Sequence, residues 1–250
     1  MLRGISRMWG PLAAVVLAAG LAACDGPDIK INGKEGVPLA DLDLTGAPPT
    51  EVVLAGPDSV RISDGETLAI SVEGDQAAID ALRFSLENGT LAITRMDGSW
   101  KNTGKAEVKV TMPPPNSLTL LASGTIEAAS LSGDASVQLL GSGKVTAARV
   151  TADVLKVNIA GSGSYEATGT AERLEVSMAG SGSAAMPALK ADQAEVSIMG
   201  SGSTEFASDG KVAANIMGSG DVTVNGRATC TLSSLGSGKL TCNSVQQADK

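Results

Sequence analysis

Residues 174–189 read LEVSMAGSGSAAMPAL. At the centre, Gly180-Ser181-Gly182 has the form of the opening of a phosphate-cradling loop. Nearly the same words return at IAGSGSYEA, IMGSGSTEF, IMGSGDVTV and SLGSGKLTC. The first glycines of these corners are Gly141, Gly161, Gly180, Gly200, Gly218 and Gly236, spaced by 20, 19, 20, 18 and 18 residues. Ala122-Ser123-Gly124 is an earlier, degenerate copy. A period near 19 that tolerates a residue more or less is the signature of a solenoid rather than of an enzyme motif.

The columns of the repeat give the reason. Four residues before each corner stand Leu118, Val137, Val157, Val176, Val196, Ala214 and Leu232. Two before it stand Leu120, Leu139, Ile159, Met178, Ile198, Ile216 and Ser234. Four after it stand Ile126, Val145, Tyr165, Ala184, Thr204, Val222 and Leu240, and six after it Ala128, Ala147, Ala167, Met186, Phe206, Val224 and Cys242. Between the first two columns runs a polar one: Thr119, Gln138, Asn158, Ser177, Ser197, Asn215 and Ser233. The local period is two, so each repeat holds short strands on either side of a corner, and a helix is excluded. Stacked as turns of a parallel coil, each strand pairs with its copy about 4.8 Å away. Apolar columns then fill the lumen and polar columns point outward. The corner glycines (Gly141, Gly143, Gly161, Gly163, Gly180, Gly182, Gly200, Gly202, Gly218, Gly220, Gly236 and Gly238) sit where the backbone turns, with φ > 0 expected. The expected fold is all-β, a right-handed parallel β-helix of about 18–20 residues per turn with a β-rich N-terminal segment. Its cross-section is left open.

The rest of the chain is read outward from the repeats. Residues 116–245 are the repeat region and 246–250 a tail. Residues 51–115 form the β-rich N-terminal segment or cap. There TLAISVE and AEVKVTM alternate, Asn88-Gly89 signals a hairpin, and Pro113 to Pro115 stop a simple ladder. Residues 24–50, with Pro27, Pro38, Pro48 and Pro49, read as a tether. Residues 1–23 read as a signal peptide. Arg3 and Arg7 precede an apolar stretch, Pro11 to Ala23, too short to span a membrane comfortably. Leu21-Ala22-Ala23-Cys24 resembles a bacterial lipobox, which implies cleavage before Cys24 and a lipid on that cysteine. The remaining cysteines, Cys230 and Cys242, form a disulfide or stay as two buried thiols.

The V-x-(I/M)-x-G-S-G corners, preceded by VTMPPPNSLTLLASGTIEA, resemble the auto-transporter adhesin head GIN domain family over residues 51–245. The resemblance implies a β-helix-like fold and an envelope or secreted location, with no established biochemical activity. The chain as given ends soon after its last corner, without the long C-terminal barrel that autotransporter secretion would require.

Composition and motif tests narrow the chemistry. The chain has 250 residues, a formal charge of −8 and no histidine, so a basic nucleic-acid surface and a His-type metal site are both excluded. GSGK at Gly141–Lys144 and Gly236–Lys239 lacks the required upstream glycine (Gln138, Ser233) and the hydroxyl after lysine (Val145, Leu240). GSGS fails the dinucleotide pattern, because Glu166, Ala185 and Glu205 stand where its last glycine belongs. Asp221 alone is too little for calcium. No cofactor and no metal are expected. Paired carboxylates are the one catalytic pattern to weigh. Glu166 and Glu205 fall two turns apart, roughly 9–10 Å, and Glu175 and Glu195 on adjacent turns, about 5 Å. No arginine or aromatic column accompanies them, so a solvated acidic face is the favoured reading. The expectation is a non-catalytic, lipid-anchored envelope protein, periplasm-facing or surface-exposed. It would present a β-helical surface to an envelope protein or glycan and hold the membrane through its anchor. The alternatives are an envelope spacer without a ligand and a polysaccharide-active β-helix enzyme.

Overall fold

The computed structural model describes residues 36–96 and 103–243. The repeats form the expected β-solenoid, of about seven turns. The long strands β9 (Leu131–Gly141), β10 (Lys144–Gly161), β11 (Ser164–Gly180), β12 (Ser183–Gly200) and β13 (Ser203–Gly218) each make one bent rung. Every rung pairs in parallel with the next, and the sequence columns are its register. Val137, Val157, Val176, Val196 and Ala214 are successive Cα partners, as are the corner glycines from Gly141 to Gly218. The last turn is split into β15 (Thr229–Gly236) below β13 and β16 (Lys239–Asn243) below β14 (Asp221–Asn225).

Burial along β10 fixes the cross-section. Val145, Ala147, Val150, Ala152, Leu155, Val157 and Ile159 are buried in the lumen. Strict alternation slips by one residue at Ala148–Arg149, at Asp153–Val154 and at the GSG corner. The pairing register shifts at the first two of these places. A strand keeps one face inward only while its period of two is unbroken, so each slip is a bend. Three bends per turn give a three-sided prism. Its long face precedes the GSG corner and two shorter faces follow it.

The glycines of a corner serve different needs. The first is in the left-handed region, as at Gly161 (φ +120°), and a Cβ there would lie 2.5 Å from the carbonyl oxygen of Gly141 on the turn above. The second, such as Gly163, has no such φ. Its Cβ would instead press on Leu139 and on the Gly143 carbonyl, about 3.0 Å away. The expectation of φ > 0 therefore holds for the first glycine only, and close stacking of turns demands the second.

The N-terminal segment continues the same prism, in an order the sequence conceals. β1 (Glu51–Ala55) and β2 (Ser59–Asp64) form one turn. β5 (Thr90–Arg95) and β6 (Ala106–Met112) form another, and β7 (Ser117–Ala122) and β8 (Thr125–Ala128) a third. β1 lies between β5 and β7, and β2 between β6 and β8, all parallel. The chain thus lays down its second turn first, and Pro113–Asn116 then carries it past that turn. Two antiparallel strands close the outer end: β3 (Ala69–Gly74) on β6, and β4 (Leu82–Glu87) on β5. The short helix α1 (Gln76–Ala81) links them, with Ala78 and Ala81 buried. One continuous core runs from Val52 to Val224. Part of the stretch read as tether docks on this cap. Val37 bridges Phe84, and Leu39 and Leu42 rest against the core, because three apolar side chains recur there within six residues.

Candidate functional site

The functional question is what the outer faces hold. Three of the four carboxylates weighed above meet a partner on a neighbouring turn. Glu166 lies 2.7 Å from the Lys144 ammonium on the turn above, and Glu205 accepts a hydrogen bond of 3.0 Å from the Asn225 amide on the turn below. Glu175 and Glu195 are Cα partners on adjacent turns. They line a shallow hollow of about 290 Å³ together with Lys156, Asn158, Ser177 and Ser197. Lys156 stands 3.5 Å from Glu175. Lys144 and Lys156, on the turn above Glu166 and Glu175, answer the charge of those two acids, as expected for a surface ladder. The two carboxylates that the sequence brings together are thus together in space, on the wall of that shallow, open hollow.

A second hollow, about 400 Å³, lies beside β2, β3 and β6 and is lined by Arg61, Glu73, Lys105, Glu107 and Glu127. Arg61 reaches Glu107 and Glu127 at 3.2 Å each, and Lys109 reaches Glu73 at 2.6 Å. On another face Asp209 accepts from Lys190 at 2.8 Å and from the Arg227 backbone N–H at 3.0 Å. The Lys190 hydrogen bond, first, and the backbone one hold its carboxyl well below the usual carboxylate range. These are compensated surface networks. Among the described residues no group of three or more His, Cys, Asp or Glu could hold a metal ion.

The other residues singled out by sequence have definite places. Cys24 lies outside the described residues. Cys230 and Cys242 are joined by a disulfide with their Cα atoms 6.7 Å apart. It ties β15 to β16 within the last turn. The twelve glycines of the six corners form the edge between the long face and the next one.

Two features escaped the sequence reading. One is a buried ion pair. Arg95, at the end of β5, donates two hydrogen bonds (2.5 and 2.6 Å) to Asp58, between β1 and β2. The same carboxylate accepts from the Ala106 N–H at 2.8 Å. Arg95 also donates to the Gly104 carbonyl and the Thr103 hydroxyl. Both residues are at most 5% exposed. The other feature is an outward apolar column one residue before each corner: Leu121, Leu140, Ala160, Ala179, Met199, Met217 and Leu235. A column with the same period was available to the sequence, but its position between two polar outward columns hid it.

A prism with laddered faces and shallow hollows defines a class by its fold: the β-solenoid proteins. The chain belongs to the family described as "Putative auto-transporter adhesin, head GIN domain", whose model matches residues 48–228. The family is described by adhesion and not by catalysis. No curated protein matches the chain. Solved structures share the fold. A "putative adhesin" from Bacteroides fragilis has a TM-score of 0.68 at 18% identity, covering 78% of this chain and 93% of that one. Another "putative adhesin", from Parabacteroides merdae, has a TM-score of 0.62 at 16% identity, covering 80% and 93%. A "putative lipid binding protein" from Parabacteroides distasonis has a TM-score of 0.57 at 22% identity, covering 79% and 93%. Among the described residues no helix is long and apolar enough to cross a membrane.

Proposed function

We propose that this is a non-catalytic envelope protein, held to the membrane by a lipid on Cys24, that uses its outer ladders for weak, repeated contact with an envelope protein or glycan. The observation that carries this reading is the register of the outward columns. Asn158, Ser177, Ser197 and Asn215 are successive Cα partners. They therefore offer the same kind of group about every 4.8 Å along a rigid face. Individually weak contacts sum on such a surface when the partner also repeats. The family assignment supports the adhesive part of the reading, and the lipobox supports the anchor.

Glycan-array binding and pull-down from envelope extracts test it, with labelled palmitate incorporation into wild type and Cys24→Ala for the anchor. Saturable binding to a repeating envelope polymer is the expected result. Absence of any envelope ligand at high concentration would leave the spacer alternative in its place. Turnover of a polysaccharide, abolished by Glu175→Gln or Glu195→Gln, would replace both with an enzyme.

A further inference from the structure

The long face of the prism changes character along its length. In the upper turns its outward apolar residues are already packed: Val53, Ala55, Ala92 and Leu121 form a second small core, none more than 8% exposed. In the lower turns the column that continues Ala55 and Leu121 is open. Leu140 is 41% exposed, Met199 and Met217 each 55%, and Leu235 72%. Half of the eight large apolar side chains exposed on the described surface thus fall in one column. Scattered apolar residues need no explanation, but an aligned row does.

The surroundings of the row define what can cover it. From three residues before each corner to one after, the turns read QLLGS, NIAGS, SMAGS, SIMGS, NIMGS and SSLGS. None of these residues is charged, in a chain of formal charge −8. The nearest charges, Lys156, Glu175 and Glu195 on one side and Lys144, Asp221 and Lys239 on the other, lie at the borders. A membrane-binding face would carry aromatic residues and a basic excess beside its apolar strip, whereas this strip holds no aromatic residue and its bordering charges are mixed, three lysines against three acids. An identical face fits. Serine, asparagine and glutamine each donate and accept, so polar ladders of one copy match those of another turned by a two-fold axis. Acidic copies repel elsewhere but not across an uncharged strip.

We propose that the long face from Gln138 to Ser237 is a self-association surface that pairs two copies of this chain through the Leu140–Met199–Met217–Leu235 row. Five residues by six turns give roughly 16 by 29 Å, or ~450 Å² per copy. A standard interface takes about 800 Å² per partner, so the pair is of the weak, reversible class. The pairing is independent of any envelope ligand, because it needs only the protein itself.

Sedimentation velocity over a concentration series into the high micromolar range is the test, on the full chain. Wild type is expected to shift reversibly from monomer to dimer. Met199→Lys with Met217→Lys should weaken the dimer by more than about tenfold through like charges facing each other. Mixing that variant with the Met199→Glu, Met217→Glu variant should restore a mixed dimer. Thr151→Lys, on a different face, should change nothing. Thermal melting of each variant separates loss of association from loss of fold. The proposal falls if wild type stays monomeric throughout, if the lysine variant associates as wild type does, or if the row binds neutral lipid vesicles while the protein stays monomeric.

Discussion

The turns above Ala128 and the turns below it stack in the same way but are specified differently. Below, chain order equals spatial order, and every long-face strand ends in a GSG corner. Above, the turn of β5 and β6 lies outside that of β1 and β2, although it comes later in the chain. No glycine repeat marks these turns, and a buried ion pair replaces it at the corner. The lumen is nevertheless continuous, because Val52, Leu91 and Leu118 occupy the column that Val137 and Val157 occupy below. Inward apolar side chains at period two suffice to stack turns, whereas a short corner additionally requires glycine.

The sharpest way to break that comparison is to remove the special corner. Arg95→Ala leaves the Asp58 carboxylate buried without its cation, which costs about 3–5 kcal/mol. Urea unfolding should register this as a large fall in midpoint. Asp58→Leu combined with Arg95→Met should recover most of the loss, since an apolar pair of similar volume replaces a buried ion pair nearly neutrally. A double variant as unstable as Arg95→Ala would mean that the hydrogen bonds to the Ala106 N–H and Gly104 carbonyl carry the corner instead.

The ordinary corner breaks by a different route. Gly161→Ala puts a Cβ 2.5 Å from the Gly141 carbonyl oxygen in a left-handed backbone. The combined steric and backbone strain should cost about 2–4 kcal/mol. Gly46→Ala shares the positive φ but meets nothing within 4 Å, so it isolates the backbone part. Denaturation of both variants side by side should give the corner substitution the greater loss; equal losses would mean that stacking distance is not the constraint.

Between the two regions lies a corner that is neither kind. Ala122 has φ +91° where every copy below has glycine. Ala122→Gly should therefore stabilise the protein, by about 1 kcal/mol, reflecting the strain that alanine carries there. A rise of a few degrees in melting temperature is the expected reading, and a fall would show that the Ala122 methyl packs usefully.

How much of this the sequence discloses follows the same division. The lumen columns and their register from Val137 to Leu232 are legible because each turn repeats the one before. The three-sided section is not, since two of its bends are one-residue slips carrying no glycine signature in most turns. The order of the upper turns is illegible for a physical reason. Parallel pairing between β1, β5 and β7 joins residues that share no local pattern, and the Asp58–Arg95 pair spans 37 positions. Among the outer faces, the carboxylate columns announce themselves by charge. The Leu140–Leu235 row does not, because an apolar residue next to a corner reads as part of the core until the strand's direction is known.

The smallest expected effect lies within the regular turns and shows that repetition is not perfection there. In the column four residues after the corner, Tyr165 and Thr204 both carry hydroxyls into the lumen. Thr204 donates to the Ala184 carbonyl at 3.2 Å, whereas the Tyr165 hydroxyl has no partner. Burial pushes the Tyr165 phenol up from its ordinary value near 10. The folded protein therefore keeps its proton while the unfolded chain loses it. The corresponding stability is complete below pH ~10 and falls as the pH rises above that value. Tyr165→Phe removes an unsatisfied polar atom while keeping the ring beside the small Ala184. A gain of about 0.5–1 kcal/mol at neutral pH is expected, with a shallower loss of stability above pH ~10 than in wild type. A loss at neutral pH would mean that the hydroxyl is satisfied in solution, and that the lumen at this turn admits water.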